Sequence, residues 1–225
     1  MHRHFDKHLN LKALIKERQP KTVLELGANK GENTINLIYL AEELGYKLIV
    51  ISPEYPTWTQ ELPDGGIDIK RAVFEHDQLE WIYGVSYVEL PKMEECSIDF
   101  CVLDTDHNYW TLEKELLALR RVMADDGIIA IHDTEEFADR NGTMSFGYFS
   151  TIDSIESSYV ENGDVLRIKE ATTTSIGVDY PLEEILSETR PYPQAIQDVV
   201  PDWHIEAESK ESNGAVALRK VAENA

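Results

Sequence analysis

The chain has 225 residues, 42% of them hydrophobic and 28% charged, with 21 basic against 42 acidic side chains and a net charge of −21. That length can bury a full core without staples. That charge repels a phosphate backbone or an anionic membrane surface, so a small molecule or neutral sugar is the expected partner, rather than nucleic acid or membrane.

No run reaches the roughly 20 apolar residues of a membrane span. Met1 to His8 has no apolar stretch of the kind a signal peptide needs, so the cytoplasm is the expected location. Leu9 to Arg18 is predicted as a short helix with Leu11, Leu14 and Ile15 on one face, ended by Pro20. Lys21 to Leu26 reads as the first strand, with one buried acid, Glu25. Leu37, Ile38, Ala41 and Leu44 stand at helical spacing, predicting a helix over 31–44 stopped by Gly45. A second strand, Lys47 to Ile51, is broken by Pro53. Strand, helix, strand is the pattern of a parallel crossover and predicts an α/β fold.

Residues 55–77 hold Pro56, Pro63 and Gly65-Gly66, then a segment with helical character. Leu79 to Tyr83 is the third predicted strand, ending at Gly84. Ile98 to Leu103 is nearly all apolar, as a strand covered on both faces should be, and it makes Cys101 a small buried hydrophobe. Cys96 and Cys101 form no disulfide framework. Leu112, Leu116, Leu119 and Met123 share a helical face over 110–123, and Gly127 to Ile131 is the next buried strand. Two hairpin-like segments, Val165 to Tyr180 and Trp203 to Val221, compete to close the sheet.

Gly27 and Gly31 stand where the first strand gives way to a helix, so a ligand can approach the helix N-terminus closely. Their spacing, Glu25-x-Gly27-x-x-x-Gly31, is neither the G-x-G-x-x-G dinucleotide fingerprint nor a P-loop. A second constellation is Asp104-Thr105-Asp106-His107 after one buried strand and His132-Asp133 after the next. Adjacent parallel strands open onto one crevice, so these acids and histidines are expected to converge there. They would make either a divalent-metal site or an acid/base site. The plainer alternatives are that Asp104 caps a turn and His132 is a satisfied core histidine.

The stretch Val23-Leu24-Glu25-Leu26-Gly27-Ala28-Asn29-Lys30-Gly31 resembles motif I of the class I S-adenosylmethionine-dependent methyltransferases. The resemblance implies a doubly wound, mostly parallel seven-stranded sheet with one antiparallel strand. It implies a single domain of three parts: an N-terminal helix (1–20), a cofactor-binding core (21–135) and a substrate-side, sheet-closing segment (136–225). It also implies that backbone at Gly27, Ala28 and Asn29, with Gly31, meets the methionine part of S-adenosyl-L-methionine and that Glu25 helps hold it. Glu54 is the acid nearest the ribose position, displaced by Pro53 from the usual strand end. Gly84-Val85-Ser86 stands where relatives flank the adenine, with Ser86 as the contact.

The second cluster is similar to the small-molecule and sugar O-methyltransferases of the catechol, caffeoyl-coenzyme A and cephalosporin-hydroxylase-like groups. In that likeness Asp104 matches a metal-ligating Asp and lies against the cofactor, and His107 falls where a catalytic Lys stands. His132 and Asp133 replace the usual Asp-Asn or Asp-Asp pair. The resemblance therefore implies O-methylation of a small metabolite or sugar, with His107 and Asp104 catalytic and Asp104, His132 and Asp133 holding a divalent cation (Mg, Mn or other). The alternatives are a metal-independent N-methyltransferase and a non-catalytic cofactor-binding protein. A homo-oligomer is left open. His2, His4 and His8 read as a frayed terminus, Asn141-Gly142-Thr143 as a turn, and Phe146, Tyr148, Phe149, Trp58 and Trp110 as packing residues or an acceptor-pocket lining.

Overall fold

The structure, a computed structural model, describes residues 9–28, 31–53, 75–105, 109–132, 134, 199–209 and 214–222, with backbone alone at Glu32, Tyr109 and Trp110. Helix α1, Leu11–Arg18, is capped by Asn10, whose side chain accepts from the Ala13 N–H at 3.3 Å. Its buried residues are Leu11 and Ile15. Strand β1, Thr22–Leu26, follows, then α2, Glu32–Leu44, and β2, Lys47–Ser52. Next come β3, Leu79–Tyr83, and the single turn α3, Ser86–Glu89, which tightens into a 3-10 turn over Leu90–Lys92. Strand β4 is Ile98–Leu103, helix α4 Tyr109–Val122 and strand β5 Met123–His132. The hairpin β6, His204–Ser209, and β7, Ala215–Arg219, completes the sheet.

The seven strands lie in the order β3-β2-β1-β4-β5-β7-β6. β1 to β5 pair in parallel, while β7 runs antiparallel to both β5 and β6. This is the expected fold class, and of the two competing hairpins the one within 203–221 inserts its second strand against β5. The segment 165–180 lies outside the described residues, as does 55–74.

Side chains alternate across the sheet, so each strand feeds two cores. Leu24, Leu26, Cys101, Leu103, Ile129 and Ile131 face α4, packing on Leu112, Leu116 and Leu119. Val23, Leu48, Val50, Val102 and Ala130 face the other side, against Ile15 of α1 and Leu37, Ile38 and Ala41 of α2. Such double burial explains the apolar stretches Leu48–Ile51 in β2, Phe100–Leu103 in β4 and Ile128–Ile131 in β5. At the end of the sheet where these strands begin, Asp99 Oδ2 accepts from the Lys21 and Thr22 N–H groups at 2.8 Å each, pinning the start of β1 to β4.

One boundary differs from expectation. Met123 is the first residue of β5, paired with Ile98, rather than the last of the helix, and β5 begins four residues earlier than Gly127. Asp126 takes a left-handed φ of 61° and the pairing with β4 shifts register between Ile98 and Phe100. The polar Asp125-Asp126 pair at this irregularity has no apolar periodicity to mark it as strand.

Candidate active site

Strand order reverses between β1 and β4: the chain builds outward through β2 and β3, then returns to the other side of β1. In such sheets the crevice beyond the carboxyl ends at the switch point is where ligands bind. The ladder continues past three strand ends there. Gly27 N–H donates to Ile51 O, Asp104 N–H to Leu26 O and Gly84 N–H to Ser52 O, each at 3.0 Å. The loops leaving β1, β3 and β4 are thereby held at their roots.

Gly27 has φ +82°, and a Cβ added to it would lie 2.1 Å from the carbonyl oxygen of Asp104 and 3.1 Å from Thr105 Cα. Only glycine fits, because a left-handed backbone and a neighbouring strand's carbonyl occupy the space a side chain needs. The turn ends at Gly31, which caps α2 and donates its N–H to Ala28 O at 2.7 Å. The free N–H groups of that helix's first turn therefore open beside the turn.

Glu25 is 1% exposed on the α2 side of β1. Its Oε2 accepts from Thr34 Oγ1 at 2.6 Å, while Oε1 is buried with no hydrogen-bond partner among the described residues. Burial pushes the Glu25 carboxyl up to about 8; the Thr34 hydroxyl opposes the shift and the charge of Asp104 adds to it. A buried oxygen with no partner is costly, and beside a glycine cradle it is the kind of atom a bound group's donor would satisfy. The cradle and this oxygen both fit the methionine end of the expected cofactor.

Asp104 ends β4 and His132 ends β5. Nδ1 of His132 lies 3.8 Å from Oδ1 of Asp104, an ion-pair distance when the imidazole is protonated. The His132 side chain is 6% exposed and that of Asp104 25%, so the pair sits at the mouth of the crevice. Thr134, just beyond, is buried. Ser86 is buried too, and its hydroxyl donates to a carboxylate absent from the sequence reading, that of Glu115 on α4. Glu115 is wholly buried, and Thr105 Oγ1 also donates to it, at 3.1 Å. The sign that could have found it is its position: Glu115 stands three residues after Leu112 and four before Leu119, on the apolar stripe of its helix.

The structure thus gathers Glu25, Gly27, Ala28, Gly31, Asp104 and His132 around the carboxyl ends of β1, β4 and β5, with Ser86 beyond β3. Asn29, Glu54, Asp106, His107 and Asp133 lie outside the described residues, as do His2, His4 and His8, Trp58, Asn141, Phe146, Tyr148, Phe149 and the Trp110 side chain. Among the described residues no group of three His, Cys, Asp or Glu side chains is arranged to hold a metal ion. Cys96 is exposed and Cys101 buried, and neither forms a disulfide.

Residues 24–134, just under half of the chain, match the family described as "Methyltransferase domain". No curated protein sequence matches the chain. Among the solved structures that share its fold are three methyltransferases or proteins named as such. S-adenosylhomocysteine-bound methyltransferase PaMTH1 from Podospora anserina is 12% identical with a TM-score of 0.55, covering 93% of this chain and 76% of its own. A protein provisionally named a caffeoyl-CoA O-methyltransferase, from Staphylococcus aureus, is 11% identical with a TM-score of 0.54, covering 94% and 81%. One provisionally named an O-methyltransferase, from Klebsiella pneumoniae, is 15% identical with a TM-score of 0.54, covering 95% and 79%. The strand order, the glycine turn against Asp104 and the family match agree on one assignment: residues 24–134 are a methyltransferase domain, on the fold of the three methyltransferase structures above.

Proposed function

We propose that this enzyme methylates a hydroxyl oxygen of a small metabolite or sugar, with a divalent cation assisting, in the cytoplasm. The observation that carries this reading is the Asp104–His132 pair, a carboxylate and an imidazole 3.8 Å apart at the mouth of the cofactor crevice. The net charge of −21 favours a small acceptor over nucleic acid.

S-adenosylmethionine supplies an electrophilic methyl group on a sulfonium. The chain's own residues do the rest. The turn at Gly27 fixes the donor end, and Glu25 offers a buried oxygen to it. Asp104 and His132, with Asp133, orient the acceptor hydroxyl or hold a cation beside it; imidazole among the donors suits manganese, iron or zinc better than magnesium. Such a cation would acidify the hydroxyl. In this reading His107 takes the hydroxyl proton, for which an imidazole is suited near neutral pH. Alignment of the acceptor oxygen behind the methyl carbon, about 3–3.5 Å away, is the larger contribution.

The test supplies isotopically labelled S-adenosylmethionine and a metabolite extract, then isolates labelled products by mass spectrometry. The expected product carries the label on oxygen. His107→Ala should cut turnover roughly 10²–10⁴-fold and leave S-adenosylhomocysteine binding intact. Label on nitrogen would overturn the O-methylation reading; full turnover in EDTA with no metal recovered would remove the cation.

A further inference from the structure

We infer that Glu115 is a positioning residue that braces the loop after β3 against the loop after β4, and so sets the width of the cofactor cleft. This rests on the cofactor reading of the crevice, but not on the choice of acceptor.

Glu115 lies on the inner face of α4 among Leu112, Leu116 and Leu119, all wholly buried. Packing alone would be served better there by an apolar side chain of similar volume, since a carboxylate loses its hydration on burial. What the glutamate adds is two acceptor oxygens pointing to different loops. Oε1 accepts from Ser86, at the start of α3 and two residues after Gly84, whose N–H is tied to the end of β2. Oε2 accepts from Thr105, the residue after Asp104, whose Cα flanks the space kept empty at Gly27. β3 and β4 are not neighbours, because β2 and β1 stand between them. One carboxylate therefore joins two rims of the crevice that the sheet itself joins only through two intervening strands. The same carboxylate lies near Cys101 in β4: burial pushes that thiol well up, and Glu115 adds to the shift.

In that cofactor reading the rim carrying Ser86 would be the adenine side and the rim carrying Asp104 the reacting side. Released from Glu115, the two hydroxyls lose a shared charged acceptor, and the rims are free to change their separation. Cofactor affinity should suffer more than stability does.

The experiment measures S-adenosylhomocysteine binding by calorimetry on the full chain, with Tm recorded for each variant. Glu115→Leu, which relieves a buried carboxylate but leaves two hydroxyls without their acceptor, should fold with Tm lowered by only a few degrees while weakening binding about tenfold or more, because charged hydrogen bonds to both rims are gone. Glu115→Gln should restore affinity to within about threefold of the parent, since each hydroxyl can still find a donor or acceptor on the amide. A folded Glu115→Leu that binds as tightly as the parent overturns the inference. If Glu115→Leu does not fold, Ser86→Ala, Thr105→Val and the double variant decide. A double variant no weaker than the worse single supports a shared brace, and strictly additive losses overturn it. Failure of the unmodified chain to bind S-adenosylhomocysteine overturns the cofactor reading itself, before any variant is compared.

Discussion

Replacing Gly27 by alanine sets two costs against each other's controls. The added Cβ would stand 2.1 Å from the Asp104 carbonyl oxygen, about 1 Å inside the closest approach real Cβ atoms make. The backbone φ of +82° is strained for alanine by about 1–2 kcal/mol. Relieving the collision means moving β4 away from β1 at the bond between Asp104 N–H and Leu26 O, adding roughly 1 kcal/mol for the bond and 1–3 for the overpacking. The total is about 3–6 kcal/mol, a fall in Tm on the order of 10–20 °C for a domain of this size. Gly45 is the internal control, having nearly the same φ, +80°, but nothing within 4 Å of an added Cβ. Gly45→Ala should therefore show the strain alone, about 1–2 kcal/mol. Urea and thermal denaturation of both variants isolate the collision as their difference, and calorimetry with S-adenosylhomocysteine should show lost affinity only for Gly27→Ala. Equal stabilities for the two variants would refute the close approach of β1 and β4 on which the site's geometry rests.

Two further outcomes follow from named groups. The raised Glu25 carboxyl makes the folded chain bind that proton more tightly than the unfolded chain does. Its contribution is whole below pH 4.5 and is lost as pH rises to about 8, at a slope of up to about 1.4 kcal/mol per pH unit. Glu25→Gln should flatten that slope in urea titrations at a series of pH values, and parallel profiles would sink the assignment. Arg120→Ala removes hydrogen bonds to Asp202 at 2.8 and 3.3 Å and to Val199 O at 2.9 Å, at the far end of α4 from the crevice. Because the side chain is partly exposed, the loss should be about 1–2 kcal/mol, seen as a lower Tm with cofactor affinity unchanged; an unaltered Tm would show that the contact contributes nothing.

Where the sequence alternated cleanly between strand and helix patterns, it was legible. Leu79–Tyr83 and Ile98–Leu103 lie within a residue of expectation because apolar runs bounded by glycine or polar breaks have few other readings. The start of β5 was not legible, since the exposed Asp125 and Asp126 interrupt its apolar run where the pairing with β4 shifts register. In the site, Gly27 was found from spacing, but its cause was not: the Asp104 carbonyl is 77 residues away in sequence and adjacent only in the sheet. Glu115 was hidden by the apolar stripe around it, because its partners Ser86 and Thr105 belong to two different loops. Asp104 and His132 were placed together by the rule that parallel neighbours share an end, and they lie 3.8 Å apart.

The position of β7 between β5 and β6 has a consequence for synthesis. During translation the ribosome delivers β1 to β5 first, and the edge of β5 carrying Ile129, Ala130 and Ile131 stays open until Ala215–Arg219 emerges to pair with it. An open apolar edge invites pairing with another chain. A stop between residues 133 and 214 would therefore leave that edge of β5 without its partner strand and yield an aggregation-prone product, rather than a shorter working enzyme. For the nascent chain, the hazardous interval lasts from the completion of His132 to the arrival of the last strand.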